Sequence, residues 1–179
     1  MKVIKLSLPL LYKDEAKLKK ELIDILKKSE TRKKQQLALF KNLKRLPKNQ
    51  VDSIFHQTHN EVFKKIDCLD CANCCKTTSP IFTTTDIQRL SKLFKQKPNS
   101  FIDQYLKVDT DGDFVLQSSP CPFLLNDNKC FVYEERPMAC REYPHTNRKN
   151  MAQILDLTAK NADLCPAVAE ILNRIMVKK

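Results

Sequence analysis

Apolar residues recur along this chain at helical spacing more often than in strand alternation. Leu18, Leu22, Ile25 and Leu26 fall three or four apart, which puts them on one face of a helix. Residues 27–36 are almost wholly polar; Leu37, Phe40, Leu43 and Leu46 then resume the stripe until Pro47 stops it. The pattern predicts one long helix with a solvated middle, or two helices with a break near residues 29–31. Asp14 and Glu15 suit the first turn of that helix, where the aligned peptide dipoles favour negative charge. A further helix is predicted from about residue 49 to 65, with Val51, Phe55, Val62 and Phe63 on its buried side.

Beyond residue 75 the segments shorten. Thr83-Thr84-Thr85-Asp86 offers oxygen acceptors for the free N–H groups of a helix start, and Ile87, Leu90, Leu93 and Phe94 continue its apolar face. Pro98 interrupts, and Ser100 can cap a short helix containing Phe101, Ile102 and Tyr105. One hairpin is predicted from residues 106–108 and 114–116, its turn using Gly112, the only glycine in the chain. A second is predicted from residues 121–125 and 130–133 around the polar turn Asn126-Asp127-Asn128. Pro137 suits the first position of a helical turn. Met151, Ile154, Leu155 and Leu157 fit either a strand or a helix, and Cys165-Pro166 opens a last helix carrying Val168, Ile171, Leu172 and Ile175. The expected fold is mainly α, with a small α+β metal-binding core of two short β-hairpins and an N-terminal helical extension. It divides into a basic extension, 1–66, a cysteine-cluster domain, 67–166, and a C-terminal helix, 167–179, packing on the core.

Charge is uneven along the chain. Residues 1–66 hold 17 Lys and Arg against 7 Asp and Glu, whereas the remainder is nearly balanced. A positive helix can neutralise phosphates, but no aromatic platform is interleaved with these lysines, so a solvated face is preferred to nucleic-acid contact. An acidic protein partner stays open. No run reaches the roughly 18 apolar residues of a membrane span. The first thirteen residues look like a leader, but Lys5 and Pro9 break the apolar run and no small-residue cleavage site follows before Asp14. The expected location is the cytoplasm.

That expectation bears on the eight cysteines, Cys68, Cys71, Cys74, Cys75, Cys121, Cys130, Cys140 and Cys165. In a reducing compartment clustered thiols read as metal ligands rather than disulfides. Thiolate sulfur is soft and suits zinc or iron–sulfur clusters. Cys68-x2-Cys71-x2-Cys74 copies the first three ligands of the bacterial ferredoxin run, whose fourth is a Cys-Pro. Cys121-Pro122 and Cys165-Pro166 both offer that dipeptide, although the x3 spacer is absent because Cys75 follows Cys74 at once. Zinc is allowed equally by the spacing. Eight thiols suit two four-sulfur sites, or one site with spare thiols. All eight are expected to be metal ligands, with an iron–sulfur cluster preferred over zinc.

Other constellations carry less. His56 and His59 share a helix face and read as structural rather than as ligands. The Asp109–Asp113 turn fails as a calcium loop, because its glycine comes two positions early and no Glu closes it. A single glycine excludes both a dinucleotide-binding loop and a P-loop. Arg136 and Arg141 read as structural hydrogen-bond donors rather than an anion site.

Five separated pieces then carry a family resemblance: Cys68-x2-Cys71-x2-Cys74-Cys75; Pro120-Cys121-Pro122-Phe123-Leu124; Cys130-x2-Tyr133; Arg136-Pro137; and Cys140-Arg141-x2-Pro144. Together, over roughly residues 66–166, they resemble the YkgJ-type cysteine-cluster family, described as a zinc- or iron-chelating domain. The resemblance implies a cytoplasmic metal-binding protein with a redox, sensing or maturation role. It carries over Cys68, Cys71, Cys74, Cys75, Cys121, Cys130 and Cys140 as ligands, and Cys165 fits as a further one. That family is also similar to flagellin lysine methylases, which implies as an alternative a metal-dependent enzyme using S-adenosylmethionine. A zinc-stabilised interaction protein is the third expectation.

Overall fold

Prolines and polar breaks cut the chain into ten helices and three short strands among the residues described. In order these are α1 (Leu8–Glu30), α2 (Lys33–Leu43), α3 (Lys48–Phe63), α4 (Cys68–Cys71), α5 (Asn73–Thr77), β1 (Ile81–Phe82), α6 (Thr84–Leu93), α7 (Pro98–Tyr105), β2 (Leu106–Val108), β3 (Phe114–Leu116), α8 (Met138–Glu142), α9 (Leu155–Ala162) and α10 (Pro166–Val177). The structure is a computed structural model that describes residues 8–177, with side chains from residue 19 onward. The leader-like residues 1–7 and the side chain of Leu18 lie outside the described part. None of the described helices is long and apolar enough to cross a membrane.

The polar stretch after Ser29 resolves as a break between two helices. Its polar character is partly internal: Ser29 and Gln36 are both buried, and Gln36 Nε2 donates to the Ser29 hydroxyl at 2.8 Å. Gln36 also reaches the Ser29 carbonyl at 3.2 Å, which accepts from Arg32 N–H at 3.0 Å as well. Because α1 begins at Leu8, Asp14 and Glu15 fall past its first turn, contrary to the dipole argument.

α10 is the centre of the helical body. Val168, Ile171 and Leu172 are fully buried, and the helix packs on α3, α1, α2 and α9. Leu39, Phe40, Leu43, Val51, Phe55, Val62 and Leu155 complete this core. Each such side chain contributes about 1.5–3 kcal/mol through burial. The ambiguous segment after Asn150 is helical: a 3-10 turn, Met151–Ile154, leads into α9. Asp52 on α3 fixes that turn by accepting from the backbone N–H groups of Asn150 and Met151 at 2.9 and 2.8 Å.

A second core gathers Phe82, Ile87, Leu90, Phe101, Leu106, Leu116, Phe123 and Val132. It lies between α6, α7 and an antiparallel sheet of order β1-β3-β2, with Ile81 opposite Val115 and Lys107 opposite Val115 on the other side. α6 opens with a capping box between Thr83 and Asp86. Pro98 opens α7 at its first turn, with Lys97 as the N-cap, rather than interrupting a helix capped by Ser100. A ring at N1 gives up no bonded N–H, which is why proline is tolerated there.

Of the two expected hairpins, the first is β2–β3. The second shrinks to a single bridge between Leu124 and Cys130, closed by Leu125 N–H to the Lys129 carbonyl at 2.8 Å. Pro120 and Pro122 have no N–H to extend a ladder, so the segment stays a loop pinned at one point.

Candidate metal centre

The cysteine run is built from two short helical turns joined by a left-handed residue. Asp67 caps α4 by accepting from Leu69 N–H at 2.8 Å. Ala72 then sits at φ 46°, ψ 19° and is buried. An L-residue with a Cβ in that region costs about 1–2 kcal/mol, so the bend is held by its surroundings. The bend starts α5 in a new direction, and Cys74 and Cys75 follow directly.

Cys68, Cys71 and Cys74 line one shallow depression with Cys165, at the head of α10. Ile66, Tyr143, Leu164 and Pro166 form part of the remaining wall, and what it exposes is apolar. A single hydrogen bond brings this distant cysteine to the run: Asn73 Nδ2 donates to the Leu164 carbonyl at 2.7 Å. These four thiols are the first sulfur set.

Cys75 adjoins both groups, its charge reaching Cys68 and Cys71 as well as Cys121, Cys130 and Cys140, and its backbone bond to Cys121 places it with the latter three. Cys121 N–H donates to the Cys75 carbonyl at 2.8 Å, and Ser119 Oγ donates to the Lys76 carbonyl at 2.9 Å. Cys140 feels the charges of Cys75, Cys121 and Cys130, and Cys121 feels those of Cys75 and Cys130. The position of α8, which carries Cys140, is set by a buried carboxylate. Asp86 Oδ1 accepts from Met138 N–H at 3.1 Å and from Arg89 Nη2 at 2.7 Å. Arg89 in turn donates to the carbonyls of Glu135 and Arg136. The two sets meet where Cys74 Sγ and Cys75 Sγ stand 4.0 Å apart.

All eight cysteines are free thiols. Partial burial of the sulfurs pushes Cys140 up to about 12 and Cys121 up to about 11, and Cys68, although an exposed residue, is also raised, with neighbouring cysteines adding to the effect. Burial likewise raises Cys71, Cys130 and Cys165. Cys74 is raised by its hydrogen bond to Cys75 and by burial. Cys75 is lowered by its hydrogen bond with Cys74, in which either sulfur can be the donor, and by nearby Lys76. Apart from Lys76 and Arg136, each of which favours the thiolate form of two of these cysteines, little positive charge opposes gathered sulfur anions.

A soft cation would supply the charge that these gathered donors lack, and its binding would expel their protons. The donor set therefore fits zinc or iron. The sets are neighbourhoods rather than closed cages: among the described residues no group of three or more His, Cys, Asp or Glu side chains is arranged to hold a metal ion.

The remaining candidates go to structure. His56 Nε2 donates to the Arg148 carbonyl at 2.8 Å, and His59 Nδ1 shares a hydrogen bond with Thr146 Oγ1 at 2.7 Å. Both hold the 146–148 loop. Arg136 donates to the Tyr133 carbonyl and lies over the Tyr133 ring; Arg141 donates to the carbonyls of Arg136 and Glu134. Asp109 spends its carboxylate on the N–H groups of Asp111 and Asp113 inside its own turn. Sequence reasoning assigned no role to Asn73 or Tyr143, and it read Asp86 only as part of a helix start. A polar residue inside the cysteine run was the available signal for Asn73; nothing local singled out the long-range bonds of Asp86.

The model of the CxxCxxCC family, described as a "putative zinc- or iron-chelating domain", matches residues 67–166. No curated protein and no solved structure matches the chain. The matched stretch covers more than half of the chain and contains all eight thiols, and the protein belongs to this CxxCxxCC family.

Proposed function

We propose that this protein holds an iron–sulfur cluster through Cys68, Cys71, Cys74 and Cys165, and a second thiolate-bound metal through Cys75, Cys121, Cys130 and Cys140. Its role is redox, sensing or cofactor maturation in a reducing compartment, the cytoplasm. The observation that carries the reading is the choice between two Cys-Pro dipeptides. Cys165-Pro166, and not Cys121-Pro122, lines the depression formed by the Cys-x2-Cys-x2-Cys run. This neighbourhood supports a ferredoxin-type donor set, three closely spaced cysteines and a remote Cys-Pro. A bound cluster supplies one-electron chemistry. The chain's own residues supply thiolates, an apolar wall and a bend at Ala72 that aims the donors.

Zinc in both sets is the second reading, favoured by the division of eight thiols into two groups of four, the number a closed zinc site takes. Anaerobic purification followed by iron, sulfide and zinc analysis separates the two. The expected protein is brown, with absorption near about 400 nm and stoichiometric iron and sulfide. Cys165→Ser is expected to lose that colour, and Cys121→Ser to keep it. A colourless protein carrying only zinc would replace the cluster reading with the structural one. A folded protein that takes up neither metal would end both.

A further inference from the structure

Tyr143 is the one polar side chain in the wall of the first sulfur set whose chemistry is unused. Its ring lines the same depression as Cys68, Cys71, Cys74 and Cys165. Its Oη is buried and, apart from a loose approach to the Cys165 sulfur that falls outside hydrogen-bond geometry, has no partner. Leaving such a group unpaired costs about 1–3 kcal/mol, so a buried orphan hydroxyl calls for a reason. After burial, the groups that act on it most strongly are Cys165, Cys74 and Cys68, in that order. All three are sulfurs of the first set.

The anchoring of the residue adds a second point. Tyr143 N–H donates to the Ala139 carbonyl at the end of α8, the helix that carries Cys140 of the second set. The ring also packs against the helical core. The side chain therefore starts on an element of one set and ends among the thiols of the other.

We propose that Tyr143 is a positioning residue for the first sulfur set, its Oη–H donating to the Cys165 sulfur once that sulfur is a metal-bound thiolate. The inference rests on the first-set reading given above. A protonated thiol is a weak acceptor, whereas a thiolate is a charged one. The hydroxyl thus has a poor partner until metal binding removes the Cys165 proton, and a good one afterwards. A phenol is protonated throughout the physiological range, so it remains a donor. Hydrogen bonds to ligand sulfurs orient them and tune both affinity and reduction potential.

The test is Tyr143→Phe, which keeps the ring and removes only Oη, compared with the intact protein at equal metal content. Transfer of first-set metal to a competing chelator should become about 10-fold easier, with second-set metal, read in Cys165→Ser, unaffected by the same change. If the metal is an iron–sulfur cluster, its midpoint potential should fall, because a donor to sulfur stabilises the more negative reduced state. Site-specific 3-fluorotyrosine at position 143, whose O–H is a stronger donor, should move both readouts the opposite way without altering packing. Chelator transfer and potential unchanged in both variants would overturn the proposal. If Cys165→Ser itself leaves metal content untouched, the first-set reading fails instead, and the two failures are thereby told apart.

Discussion

The two sulfur sets offer four thiols each, yet they are held in different surroundings. The first is assembled from the cysteine run and the head of α10, with an apolar wall and one idle hydroxyl. The second is assembled from loops and the short α8, pinned by backbone bonds and by the Asp86–Arg89 clamp, with Lys76 and Arg136 close by. The first borrows rigidity from the helical body through α10. The second depends on a polar network that must itself be assembled. Identical donor chemistry can therefore give sites of unequal tightness, and the inequality is set by what lies behind the sulfurs.

Stripping metal is the harshest way to break that comparison. Thiolate-bound structural metal is worth about 10–16 kcal/mol at neutral pH, more than any single substitution here. Exhaustive chelation should cost amide-exchange protection mainly across residues 119–142, which rest on loops, and least across α3 and α10. Uniform loss of protection in both regions would erase the distinction. Asp86→Ala should come next. It removes a buried carboxylate that serves Thr83, Arg89 and Met138, and a loss of about 3 kcal/mol in denaturant melts is expected. The same variant should release second-set metal sooner than first-set metal.

The Asp86 carboxyl also has a pH signature. Burial alone would raise its pKa, but hydrogen bonds from Thr83 and Arg89 hold it below the usual carboxylate value. Its contribution to stability is thus complete above about pH 4 and is lost as pH falls through the depressed value. A melting temperature that declines on acidification below pH 4 in the native protein, and much less in Asp86→Ala, is the expected result. Asn73→Ala is a milder probe of the other set. Losing the bond to the Leu164 carbonyl should cost about 1 kcal/mol and weaken first-set metal alone, as read by chelator competition. The smallest effect is a proton count. Zinc titrated into Cys121→Ser fills only the first set, and into Cys165→Ser only the second. Since Cys75 starts with a lowered pKa, the second set should release fewer protons per zinc near pH 7.

Much of the helical body could be read from residue order, because its forces are periodic. Val51, Phe55 and Val62 on α3, and Val168, Ile171 and Leu172 on α10, are buried as their spacing predicts. The three-cysteine run was equally visible, since its spacing is local. What stayed hidden depended on long-range contacts. Two Cys-Pro dipeptides looked alike until the fold bonded Cys121 to Cys75 and set Cys165 beside Cys68, Cys71 and Cys74. The second hairpin failed because Pro122 within its first strand and Pro120 just before it removed donors, a signal that was available. Tyr143, three residues past Cys140, carried no signal in the sequence, and only the fold brings it beside sulfurs contributed by other segments.

The contact between Cys74 and Cys75 has its own consequence. Consecutive residues share a peptide plane, so turning one side chain to grip an ion reorients the next. Assembly of either site therefore presets the backbone that carries a donor of its neighbour, so the two share a hinge while each keeps its own metal affinity.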